Sequence, residues 1–279
     1  MNAVVERTSD GWRAQLSLGF IHDGRRTILS HRKHYGPLVI QKPFYPEGEP
    51  CHIYLLHPPG GVVGGDQLKL DVEVKKKAHA LLTTPAAGKF YRSNETTAVL
   101  EQSFSVADGA FLEWLPQETI LFADSHVQMQ TRIDLEKQAK FIGWELLCLG
   151  RPASGEKYTL GNCQQKFSIY RDEIPLVIET TRLHGSANVL NTHWGLKGCN
   201  VMGTCIAVGA SKSVLQAVRD AEILLEEGEF TVTLINDVLI CRVLAMQAEP
   251  ARNAFIKAWE IIRPCIIKRE ASAPRIWFT

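Results

Sequence analysis

From Trp12 to about Ala245 the sequence reads as one short strand after another, closed off by glycine, proline or acidic turns. That pattern restricts the chain to a β-dominated fold. Residues 12–20 alternate apolar and polar, and residues 26–32 are expected to pair with them across Asp23-Gly24. Residues 67–74 set Leu68, Leu70, Val72 and Val74 against Lys69, Asp71 and Glu73. Residues 79–84 then read as an antiparallel partner, with Lys75-Lys76-Lys77 as a solvated hairpin tip. Two further hairpins are expected, across Asp172-Glu173 and across Asn236-Asp237. Residues 139–149 form a near-continuous apolar run interrupted by Glu145, and Gly143 with the Gly150-Arg151-Pro152 exit favours a strand over a helix. Only two late segments have helical spacing. Residues 213–227 would start at Ser211 or Ser213 and end at Gly228; residues 249–262 would end at Pro264. No fixed-period repeat and no Gly-, Ser- or Pro-rich linker divides the chain, so 1–279 is expected to form one domain.

Composition removes several function classes. With 31 basic and 30 acidic side chains the formal net charge is +1, which gives no global attraction for nucleic acid or an anionic membrane. No window approaches ~18 uninterrupted apolar residues, so no membrane helix is expected. Residues 1–12 lack a basic start followed by an apolar core, so a secretory leader is not expected and a cytoplasmic location is. Seven cysteines, an odd number with no C-x-x-C pair, fit reduced thiols. Most lie among apolar neighbours, where cysteine behaves as a small hydrophobe.

Two loops use costly residues. The first, His57-Pro58-Pro59-Gly60-Gly61 followed by Val62-Val63-Gly64-Gly65-Asp66, resembles a phosphate loop only in its glycines. The required Gly-Lys-Ser/Thr opening of a helix is missing, and Asp66 would repel phosphate. The second is Thr83-Thr84-Pro85-Ala86-Ala87-Gly88 leading to Lys89-Phe90-Tyr91-Arg92-Ser93. If residues 67–84 form a hairpin, the loops share one sheet edge and Asp66 lies near Thr83 and Thr84. His57 reads either as a histidine bonded to backbone at a strand end or as a ligand or base. There is no G-x-S-x-G elbow and no glycine-framed cysteine at a helix start. His31 and His34 have no partners to complete a metal site, and no cysteine or histidine cluster has zinc spacing. An enzymatic alternative stays open on the loops: a hydrolase or isomerase with His57, Asp66 and Lys89 as acid-base groups.

A third oddity is carboxylates inside apolar strands: Glu113 in Phe111–Leu115, Glu145 in Ile142–Leu147, and Glu179 in Leu176–Thr181. Each fits the outward face of a half-exposed strand. Those that point inward must be paired, hydrated or visited by a cation, because an isolated buried carboxylate is too costly. Oxygen ligands of this kind hold a divalent metal loosely, which suits transfer more than storage.

In this order, LLHPPGGVVGGDQL, TTPAAGKFYRS, EWLPQETILFADS and GWELLCLGR resemble the urease accessory proteins of the UreD class, also called UreH. GWRAQLSLGF at the start and APRIWFT at the end fit as well. The resemblance implies an irregular β-helix-like stack of sheets with two C-terminal helices. It implies a non-enzymatic scaffold in urease maturation, working with UreF, the GTPase UreG and apo-urease, with nickel in transit and no tightly bound cofactor. It implies acidic groups along an internal passage at Asp66, Glu145 and Glu179. The second loop departs from the class: relatives commonly carry Ser or Thr where Gly88 stands, so no hydroxyl ligand is expected there.

Overall fold

The computed structural model describes residues 11–278. The first ten residues, on which the expectation of no leader rests, and Thr279 lie outside the described residues. β1 (Arg13–His22) and β2 (Thr27–Tyr35) form the expected hairpin. β3 (Val39–Ile40) pairs antiparallel with β4 (Cys51–Leu56). The chain then winds as a coil with two long sides and one short one. β5 (Gln67–Val74) lies in one sheet, β6 (His79–Thr83) in the other, and β7 (Gly88–Phe90) on the short side. β8 (Ala98–Val106), β9 (Phe111–Trp114) and β10 (Thr119–Leu121) repeat the circuit. β11 (Ser125–Leu135) and β12 (Lys140–Arg151) begin a third, and after β13 (Glu156–Lys157) the chain re-enters the first sheet as β14 (Gly161–Arg171). β15 (Ile174–His184) folds back on β14. β16 (Val201–Val208), α1 (Lys212–Asp220), β17 (Gly228–Ile235), β18 (Val238–Ala245) and α2 (Ala248–Ile267) complete the described elements above a terminal 3-10 turn.

The expected hairpin of residues 67–84 does not form. β5 pairs in parallel with β1 and β8, and β6 in parallel with β4 and β9. The lysine turn is solvated, but it carries the chain from one sheet to the other, with Lys77 at φ +64°. The strands themselves show why. β5 is buried on one face only, whereas β6 is buried along nearly its whole length, as a strand between a sheet and a further layer must be. Parallel neighbours need a crossover, and here the crossovers from β4 onward run through strands of the opposite sheet. Successive coils differ in length, which is why the sequence shows no fixed period.

Two hydrophobic clusters result. One fills the space between the sheets, where Ala14, Leu68, Leu100 and Met129 stand in register across four strands. The other lies on the outer face of the second sheet, beneath α1 and α2. The hairpins at Asp172-Glu173 and Asn236-Asp237 form as expected, with positive φ at Asp172, Glu173 and Asn236. Both helices depart from their expected ends. α1 stops at Asp220: Val214 and Val218 are its buried residues, Glu222 turns at φ +44°, and Leu224 is exposed. α2 runs through Pro264 to Ile267, because buried Ile262, Arg263 and Ile266 hold the last turn in place. Tertiary contacts there outweigh the proline penalty of about 3 kcal/mol. The tail is docked as its aromatic ending suggests: Trp277 packs against Trp144 and Trp259, and its indole N–H donates to Thr83.

Candidate functional site

The carboxylates singled out in the sequence all point inward, but their surroundings differ. Glu113 is fully buried on the helix side of the second sheet. Its Oε1 lies 2.7 Å from His79 Nε2, its Oε2 accepts from Trp259 Nε1 at 2.6 Å, and Arg263 Nε reaches both oxygens at 3.1 Å. Arg263 also bridges to Glu47 at 2.8 Å, and Glu47 meets His52 at 2.7 Å. Burial pushes the Glu113 carboxyl up. Hydrogen bonds and charge from His79 and Arg263 overcome that and leave it at about 2. This is a buried, ion-paired cluster in which two carboxylates share the Arg263 guanidinium. It staples α2 to the sheet, and removing one member would strand the others in low dielectric. The signal for Arg263 in the sequence is a charge on the apolar stripe of α2.

Glu145 lies on the opposite face of the same sheet, pointing toward the first sheet. There β12, β16 and β18 align Glu145, Thr204 and Arg242 as a polar row that interrupts the apolar packing. Across from it stand Thr131 of β11, Gln165 of β14 and Glu179 of β15. Thr131 Oγ1 and Gln165 Nε2 donate to the two oxygens of Glu145. Arg242 pairs with Glu179 Oε1, and Thr204 Oγ1 donates to Oε2 at 3.4 Å. Glu145, Gln165, Glu179, Thr204 and Arg242 border a cavity of about 50 Å³, together with Met202, Phe167 and Thr181. A site this polar has room for a few waters.

Among the described residues no cation touches Glu145. Burial is the main cause raising its carboxyl to about 7; the Thr131 and Gln165 hydrogen bonds oppose it, and the charge of Glu179 adds to it. Burial, and after it the charge of Glu145, pushes the neighbouring Cys163 thiol up to about 12. Among the described residues no three His, Cys, Asp or Glu side chains converge as a metal cage. Two carboxylates with neutral oxygen donors make a weak, hard-ligand environment, able to pass a divalent ion and poor at storing one. Thr131 and Gln165 break the inward apolar rows of β11 and β14, which is the signal that would have found them.

Asp66 does not line this cavity. Its Oδ1 accepts the Trp12 backbone N–H at 2.8 Å and its Oδ2 that of Val63 at 3.0 Å, so the buried carboxylate ties β1 to the Gly-rich turn. Asp66 leads into the first sheet while Thr83 ends a strand of the second, so the expected nearness to Thr83 and Thr84 falls with the hairpin. The two loops still meet, in successive coils. Val62 N–H donates to Lys89 O at 2.7 Å and Tyr91 N–H to Val62 O at 2.8 Å. A Cβ on Gly61 would come within 2.1 Å of the Tyr91 ring, and one on Gly64 within 2.5 Å of Ser93 Cβ. These glycines permit close packing of two loops and leave no cradle for a phosphate. His57 is half-buried, and burial lowers its pKa against the opposing charge of Asp66. With both Asp66 oxygens engaged by backbone, the His57, Asp66 and Lys89 set offers no free carboxylate base.

Fold and site together define a class: a coiled two-sheet protein with a helix pair clamped to one face and a small acidic cavity between the sheets. The chain belongs to the UreD urease accessory protein family, whose model matches residues 13–278. It is 42% identical over 287 residues to the urease accessory protein UreD of Azoarcus sp. (strain BH72), covering all of both chains. It is also 42% identical to that of Alcanivorax borkumensis, covering all of this chain and 96% of the relative, and 38% identical to that of Enterobacter sp. (strain 638), covering 99% and 98%. No described helix is long and apolar enough to cross a membrane.

Proposed function

We propose that this chain is a non-catalytic scaffold in urease maturation, and that a divalent nickel ion passes between its sheets by way of Glu145 and Glu179. The observation that carries the reading is a cavity, within a chain of the UreD accessory family, lined by two carboxylates of which the deeper has no cationic partner among the described residues. Nickel is cargo here and not a resident cofactor. The partners are apo-urease and the accessory proteins UreF and UreG, in the cytoplasm. Asp66 serves the passage indirectly, by holding the turn that joins the first coil to β1.

Co-expression tests the assembly role. The full chain, tagged and expressed with urease and its accessory proteins, is expected to co-purify with them in one complex by size-exclusion chromatography with light scattering. Urease from cells lacking the chain is expected to hold little nickel by elemental analysis. Full nickel content without the chain, or no association with any of these proteins, overturns the scaffold reading.

A further inference from the structure

We propose that Arg242 is the gate of the inter-sheet cavity, a tethered cation that occupies Glu179 until a divalent cation displaces it. This rests on reading the cavity as a cation path. Among the described residues Arg242 is the one cationic side chain bordering the cavity, and it stands in register with Thr204, which is itself in register with Glu145. Its side chain is 54% exposed against 24% for Glu179, so the pair lies where the polar row opens to solvent. Further in, Glu145 receives only the neutral donors Thr131 and Gln165.

The charge arrangement makes the pair displaceable. A guanidinium does not lose its proton, so Arg242 frees Glu179 only by swinging its side chain away. A half-exposed ion pair contributes little, and the long flexible stem regains rotamer freedom when it leaves. A divalent ion between Glu145 and Glu179 meets two carboxylates with two charges. A monovalent ion competes with the guanidinium on equal charge and gains nothing. Arg242 would thus keep the path closed to the common monovalent cations and set the threshold for entry, while Thr204 retains the second oxygen of Glu179 in either state.

The test is equilibrium dialysis of Ni²⁺ against the full chain, purified with whatever partners keep it soluble. Arg242→Gln is expected to bind Ni²⁺ about fivefold tighter than the parent, the gain expected when a weak internal competitor is removed. Arg242→Lys, which keeps the charge, is expected to stay near the parent, and Arg242→Gln combined with Glu179→Gln is expected to lose the gain. Unchanged affinity in folded Arg242→Gln, or a gain that survives Glu179→Gln, overturns the gate. The path reading fails separately: Glu145→Gln with Glu179→Gln would mature urease to full nickel content, whatever Arg242 does.

Discussion

Glu113 and Glu145 sit on neighbouring strands of one sheet, both inside apolar sequence, and point to opposite faces. On the helix side, Glu113 meets Arg263, His79 and Trp259, and its carboxyl falls to about 2 despite complete burial. On the inter-sheet side, Glu145 accepts from a hydroxyl and an amide, with no cation beside it among the described residues, and its carboxyl rises to about 7. Burial acts in the same direction on both, so the partners decide the outcome. A carboxylate matched by an internal cation is already satisfied and works as a staple. One supplied only with neutral donors keeps an unmet demand for positive charge, which an ion in passage can meet.

Breaking the staple should give the largest effect. Arg263→Ala leaves Glu113 and Glu47 buried without their shared cation and is expected to cost about 3–5 kcal/mol by denaturant unfolding. If the loss were under about 1 kcal/mol, the Glu113 cluster would not be holding α2. Trp277→Ala removes the half-buried ring packed on Trp144 and Trp259, and should cost about 2 kcal/mol.

The pH dependence sharpens the contrast because the two carboxyls have opposite signs. Glu145 is raised from an ordinary value of 4.5, so the folded state holds its proton through a range where the unfolded chain has lost it. Stability from this group is complete below about 4.5 and falls as pH rises toward 7, by up to roughly 3 kcal/mol. Glu145→Gln should therefore unfold at higher denaturant than the parent at pH 8, by about 1 kcal/mol, and match it near pH 4.5. Glu113 is depressed, so its contribution is present above 4.5 and is lost as pH falls toward 2. Glu113→Gln should accordingly be the less stable protein at pH 8. The same sign for both variants at pH 8 would dissolve the distinction between the two regions.

The smallest effect belongs to the loop. Gly88 has no positive φ, and a Cβ there would meet only Thr119 Oγ1 at 3.7 Å. Gly88→Ser should fit and stabilise by about 0.5 kcal/mol through lost freedom of the unfolded chain, read as a small rise in Tm.

Much of this was legible in the sequence, for local reasons. Alternation in β1 and β5, the acidic hairpin turns and the strand character of residues 139–149 all follow from spacing and turn chemistry. The coil was not legible from spacing. Residues 67–84 satisfy a hairpin pattern as well as a crossover, and only the near-complete burial of β6 separates them. The carboxylates were visible as misfits, but which one owns a cation depends on Arg263, Arg242 and Glu47, far away in the chain. At Pro264 local propensity favours a helix end, but the packing of Ile262, Arg263 and Ile266 prevails.

The most direct test is the nickel content of urease matured in cells by this chain carrying Glu145→Gln and Glu179→Gln together, with Glu113→Gln as the comparison. Nickel per urease active site is expected to fall at least tenfold with the cavity pair at unchanged abundance of the chain, about 1.4 kcal/mol or more of lost preference for the path. Glu113→Gln should lower it only in proportion to any chain lost. Full nickel content with the cavity pair, in a complex of normal abundance, would contradict the account.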